Sequence, residues 1–394
     1  MRTKVSHRSF GTVAVAGALV ALMATSCDAT ETVRAEPAAE AGQRAQVTEA
    51  LNQLITGDRL PGAQIVVTDR SGVWTGTAGA GDLAQGTPFQ DDARVRIGSN
   101  TKTYVATVML QLVAEGKVEL DAPVERYLPG VVQGPGIDGN RITVRNLLQH
   151  TSGLPEYAAE FGAPLKPGQI ASPSEDVRWG TKDIAEIVRN VLTAPADFEP
   201  GAQWAYSNTN YALAGMIIEK ITGESVGAAI THRIIEPLGL HDTYFPEPDE
   251  TEIRGPHPVG YLQSGGELVD YTRQNVSYAG AAGAMVATGA DLNRFFVALL
   301  DGELLPPAQL AEMKQTVPLP VPGNQGYGLG LMYRQLPCGA DSWGHGGDID
   351  GFETRGGVTG DGRAVTVTVN QVPESAEATR NVNRVVDTAL CATP

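Results

Sequence analysis

Basic residues are in the minority in this chain. Lys and Arg number 29 against 45 Asp and Glu, a formal charge of -16. That deficit excludes a long polyphosphate partner, because no net basic surface is there to neutralise it, and no nucleic-acid contact is expected. Beyond the N-terminus, no uninterrupted apolar run is long enough to span a bilayer. Internal repeats are absent. A G-x-S-x-G elbow is missing, which leaves an α/β-hydrolase unsupported. H-E-x-x-H is missing too and the six histidines are scattered, so no metal and no cofactor is assigned. Asp348-Ile349-Asp350-Gly351 is too short for a calcium loop. Cysteine is scarce, with only three.

What is present begins with an export signal. Arg2, Lys4 and Arg8 form a basic start, Phe10 to Ala24 an apolar stretch, and small residues then lead to Cys27. Residues 1–27 therefore read as a signal peptide, and the protein as secreted or anchored to the cell envelope. Ala24-Thr25-Ser26-Cys27 has the layout of a lipobox, which would make Cys27 a lipid anchor. Ordinary cleavage nearby is the alternative. Residues 28–46, rich in Ala, Glu and Thr, read as a disordered spacer. Cys338 and Cys391 then remain as an even pair, which in an exported chain suggests a disulfide rather than two buried thiols.

Residues 47–394 read as one folded region. Leu60 to Gly79 has the pattern of a hairpin, with turn residues Asp69, Ser71 and Gly72. Phe352–Val358 and Ala364–Val369 flank Asp361-Gly362, a strong turn signal. Val365, Val367 and Val369 alternate with Thr366 and Thr368, giving one apolar face. Between these β regions the pattern turns helical over about 99–300. Val105, Val108, Met109, Leu112 and Val113 form a stripe ended by Gly116; Leu213, Ile217 and Ile221 form another ended by Gly223. Strands from both chain ends would build one sheet, with the helical stretch inserted beside it. A helical tail with Val382, Val385 and Val386 follows.

Three short elements carry chemistry. Ser99-Asn100-Thr101-Lys102 is S-x-x-K, Tyr206-Ser207-Asn208 is Y-x-N, and His345-Gly346-Gly347 is H-x-G. Ser99 and Lys102 are three apart and project from one helix face. A serine hydroxyl needs a base, and a lysine serves only if burial or a nearby cation lowers its pKa. Tyr206 supplies a phenol to relay a proton. Asn208 can hold substrate or fix Lys102. His345 ends a strand, and the two glycines would let a substrate backbone lie against a strand edge. Each triplet alone has an ordinary explanation: Ser99 as a helix N-cap, Ser207 or Asn208 as the cap of the next helix, His345 as a histidine beside a glycine-rich turn.

Their order resembles the serine penicillin-recognising superfamily, above all class C β-lactamases and the exported DD-carboxypeptidase/transpeptidase of actinomycetes. The likeness covers most of residues 50–394. It includes Val95–Lys102, Gln149-His150-Thr151-Ser152-Gly153-Leu154, Tyr206–Tyr211, Gly326–Leu331 and Gly344–Gly347. The resemblance implies an α+β, β-lactamase/transpeptidase-like fold, with an antiparallel sheet flanked by helices and an inserted all-helical lobe. It implies a catalytic set of Ser99, Lys102, Tyr206, Asn208 and His345. Substrate would lie along Gly346, Gly347 and Asp348, and the N–H groups of Ser99 and Asp348 would form an oxyanion hole. It also expects the Cys338–Cys391 pair. The implied activity is a D-Ala-D-Ala carboxypeptidase acting on peptidoglycan stem peptides, as a monomer. The alternatives are an esterase, β-lactamase or D-aminopeptidase, or a penicillin-binding sensor that acylates without turnover. One departure stands out. Where the carboxypeptidase type carries hydroxyl groups and an arginine to hold a terminal carboxylate, this chain has Gly346, Asp348 and Met332. Arg334 and Arg355 are the candidates for a replacement cation.

Overall fold

The computed structural model describes residues 38–161 and 175–392. The signal segment 1–27, Cys27 and the first part of the expected spacer lie outside them. The rest of that spacer is helical. Helix α1 (Ala38–Thr56) starts within it, because Val47, Leu51 and Leu54 recur at helical spacing and are buried under the sheet. The local composition hid an N-terminal extension anchored by residues further on.

The main sheet has nine strands drawn from both chain ends. They are β1 (Gly62–Asp69), β2 (Gly72–Gly79), β3 (Val317–Pro318), β4 (Gln325–Tyr327), β5 (Met332–Gln335), β6 (Asp341–Gly344), β7 (Gly347–Ile349), β8 (Phe352–Thr359) and β9 (Ala364–Val369). Their order is β2-β1-β9-β8-β6-β5-β4-β3, and β7 pairs with β8. All pairings are antiparallel, as expected. The β8–β9 hairpin turns where Asp361-Gly362 placed it: Gly362 has φ 85°, and Thr359 N–H donates to the Arg363 carbonyl at 2.9 Å.

Every residue of β9 is buried, not only its valine face. Val365, Val367 and Val369 pack with α1 and with α5 (Ala376–Leu390), which buries Val382, Val385 and Val386. Thr366 faces the opposite layer and donates to Asn293 Oδ1 at 2.8 Å. Asn293 belongs to α4 (Gly289–Leu300), whose Nδ2 donates to the Val66 carbonyl at 3.0 Å. The expected boundary of the helical lobe near 300 is thus too late, because 289–300 lies against the sheet. The intervening stretch also holds two small hairpins, 133–138 and 261–270. Its central helix α2 (Thr101–Ala114) is buried nearly all round rather than along one stripe. Helix α3 (Asn208–Thr222) ends at Gly223 with φ 76°. No helix among the described residues is long and apolar enough to cross a membrane.

A disulfide joins Cys338, in the β5–β6 loop, to Cys391 at the end of α5. It closes a loop across a sequence separation of 53. In the chain-entropy model such a closure contributes about 4 kcal/mol, and measured values often fall below that. Peptide mapping without reductant should recover the two peptides joined, and reduction should lower the denaturant midpoint. Two free thiols in protein prepared without reductant would contradict this.

Candidate active site

Ser99 stands in a 3-10 turn, Gly98–Asn100, that runs straight into α2. Gly98 has φ 49°, and a Cβ there would sit 2.8 Å from the Asp348 amide nitrogen. Only glycine lets the serine turn press against β7 in this way. Gly347 meets the same demand from the other side, since its Cβ would fall 1.9 Å from the Ile97 carbonyl oxygen. The two glycines after His345 therefore make room for the protein's own backbone as well as leaving an edge. Asn100 Nδ2 completes the clasp, donating to Thr354 Oγ1 of β8 at 2.6 Å. Among the described strands β7 pairs only with β8, and its backbone at Gly347 and Asp348 abuts the Ser99 turn.

Lys102 is fully buried, with Nζ 3.0 Å from Ser99 Oγ, 2.7 Å from Asn208 Oδ1 and 2.7 Å from the Ala282 carbonyl. Burial pulls its pKa down to about 7, while Glu156 and Asp348 oppose the shift. A neutral amine has two N–H bonds and one lone pair. The amide oxygen and the carbonyl can only accept, so they take both N–H bonds and leave the lone pair for the Ser99 hydroxyl. Asn208 holds this arrangement because Glu156 Oε2 accepts from its Nδ2 at 3.1 Å and from its backbone N–H at 2.8 Å. That fixes which end of the amide faces Lys102.

Tyr206 lies against both groups. Its ring centroid is 4.7 Å from Lys102 Nζ, and its hydroxyl is near enough to Ser99 for the serine to oppose part of the rise in its pKa. Burial pushes the phenol well above its usual range. The His150 ring packs on it at 4.3 Å, and His150 is itself held by the backbone N–H of Ser207 and by Asn210 Nδ2 at 3.1 Å. Ser207, which had an ordinary capping explanation, occupies the N-cap position of α3 but donates its hydroxyl to the Pro155 carbonyl instead. His345 is buried, and burial lowers its pKa to about 3. It is therefore neutral at working pH. Nδ1 donates to the Gly346 carbonyl, so Nε2 accepts from the Tyr327 hydroxyl at 3.0 Å.

All eight chemical residues singled out in the sequence thus converge: Ser99, Lys102, Tyr206, Asn208, His345, Gly346, Gly347 and Asp348. The two arginines separate. Arg334 turns to Asp387 on α5. Arg355 lies at the cleft, within 2.7 Å of Asp348 Oδ1 and 2.9 Å of Glu353 Oε2. Four groups were not singled out as site residues: Glu156, Ala282, His150 and Glu353. Glu156 follows the Gln149–Leu154 motif by two positions, a signal that was available. Ala282 acts through its carbonyl and leaves no trace in residue type.

Fold and site together define a serine hydrolase of the penicillin-recognising type. The chain belongs to the beta-lactamase family, whose model matches residues 45–389. It is similar to a D-stereospecific amidohydrolase from Streptomyces sp., with 41% identity and a TM-score of 0.79 over 89% of this chain and 99% of that one. It is 32% identical to the esterase EstB of Burkholderia gladioli over 55% of each protein. It is 28% identical to the D-alanyl-D-alanine-carboxypeptidase/endopeptidase AmpH of Escherichia coli K12 over 62% of each. The matched part spans little more than half the length of these two curated relatives.

Proposed function

We propose that this protein hydrolyses acyl amides and esters, with D-aminoacyl amides as the substrate class, through an acyl-enzyme on Ser99. Lys102, half neutral near pH 7 and increasingly neutral above it, takes the hydroxyl proton as Ser99 attacks the carbonyl. Tyr206, held as a phenol, relays that proton from Lys102 to the leaving nitrogen or oxygen, giving up its own and regaining one from the lysine. Asn208 keeps the lysine aimed. The backbone N–H groups of Ser99 and Asp348 receive the oxyanion, each such donor being worth roughly two orders of magnitude in rate. Water then releases the acyl group.

The observation that carries this reading is the end of the cleft beside β7. Asp348, with its side chain 52% exposed, stands there, and Arg355 is already paired to it. A substrate carboxylate meets like charge instead of a free cation. A neutral amide or ester does not, and the similarity to the Streptomyces amidohydrolase agrees. The second reading, a D-Ala-D-Ala carboxypeptidase, draws on the AmpH likeness but lacks a cation to hold the terminal carboxylate.

Parallel turnover at the D-Ala–D-Ala bond of one acyl-D-Ala-D-Ala donor with a free, amidated or esterified C-terminus decides between them. A charge-assisted hydrogen bond is worth about 1.5–3 kcal/mol, so its absence should remove the acid's usual advantage of about tenfold or more and leave the amide and ester at or above the acid in kcat/KM. A preference for the acid would return the protein to the carboxypeptidases. Acylation without turnover of any of the three would make it a sensor.

A further inference from the structure

We propose that Asp348 sets the charge of the leaving group by masking Arg355, a cation that would otherwise hold a carboxylate in this subsite. The inference rests on the amide reading above and extends it to a mechanism of selection.

The geometry begins at Gly346. A Cβ at this position would meet Arg355 Nη1 at 3.0 Å and Cδ at 3.2 Å. The guanidinium thus fills the space that a side chain at 346 would claim, beside β7. Arg355 Nη1 donates to the Thr354 carbonyl at 2.9 Å and pairs with Asp348 Oδ1 at 2.7 Å, while Nη2 reaches Glu353 Oε2 at 2.9 Å. Asp348 and Glu353 are directly opposed in register, and Arg355 is two residues along from Glu353, so all three side chains share one face of the sheet.

Their exposures differ sharply. Asp348 is 52% exposed, Arg355 16% and Glu353 1%. An incoming leaving group therefore touches Asp348 first and reaches the guanidinium only by displacing it. Burial also pushes the Glu353 carboxyl well above its usual range, with Arg355 pulling the other way. The charge of the cluster is carried mainly by Asp348 and Arg355. Asp348 is an acceptor with oxygen to spare, suited to the N–H groups of a carboxamide or to an ammonium. Arg355, unmasked, would offer a fork matched to a carboxylate.

The test uses the whole folded chain and the same acid, amide and ester donors. Asp348→Asn keeps the size and the backbone N–H but removes the countercharge. The acid-to-amide ratio of kcat/KM should rise at least about tenfold, the scale of one charge-assisted bond. Adding Arg355→Gln should cancel the gain. Because Glu353 ionises more readily once Asp348 is gone, Asp348→Asn/Glu353→Gln gives a second, cleaner unmasking and should raise the ratio at least as far. Turnover of the esterified donor, which offers Asp348 neither an N–H nor a charge, reports in each variant whether the site is intact. A ratio unchanged in both unmasked variants, or a gain that survives Arg355→Gln, overturns the proposal. The parental ratio tests the amide reading separately, so the two failures are distinguishable.

Discussion

Ser99→Ala should lower kcat by about 10^4-fold or more, the range seen when a catalytic serine is removed and only binding and oxyanion contacts remain. Of the three oxygens that Lys102 Nζ contacts, only Ser99 Oγ carries a transferable proton; the others are an amide oxygen and a carbonyl. No second hydroxyl in that set can inherit the role. The substitution should leave the fold alone, because the clasp of the turn runs through Asn100, Thr101 and Gly98, not through Ser99 Oγ. An unchanged thermal midpoint with activity lost is the expected pair of results. A variant that keeps a tenth of parental turnover would mean that another nucleophile does the chemistry.

Lys102→Ala and Tyr206→Phe should each slow acylation by at least about a hundredfold, the usual scale of lost acid–base help. The parental rate should also rise with pH through a midpoint near 7. Below it Nζ is protonated and has no lone pair; above it the base is free. Any general base gives this sign; the midpoint near 7 singles out Lys102, because a phenol with a raised pKa would place it far higher. Neither buried histidine competes, since His345 is lowered to about 3 and His150 lies well below its usual value, both mainly through burial. Asp350 does compete, because burial raises it to about 7. The midpoint should therefore persist in Asp350→Asn and in Tyr206→Phe. If it moves with Asp350 instead, the proton acceptor has been misassigned.

Much of this site was legible before any coordinates. Ser99 and Lys102 are neighbours by helix geometry alone, and the Val–Thr alternation of 364–369 marked a strand. Other features depend on contacts distant in sequence. Thr366 looked solvent-facing until Asn293 of α4 covered it. Ala38 begins a helix because residues 47–54 bury against a sheet that closes only with the C-terminal strands. Lys102 owes its lowered pKa to burial and its aim to Asn208 and Ala282, brought from two other segments. Arg334 and Arg355 were equivalent as candidate cations. Only the strand register separates them, sending one to Asp387 and the other to Asp348.

The most direct measurement is the mass of the acylated protein. Incubation with a slowly released acyl donor such as a fluorescent penicillin, followed by acid quench and digestion, isolates the modified peptide. The adduct should map to Ser99, with the expected mass gain, and vanish in Ser99→Ala. An adduct on any other residue, or labelling that survives Ser99→Ala, would contradict the account.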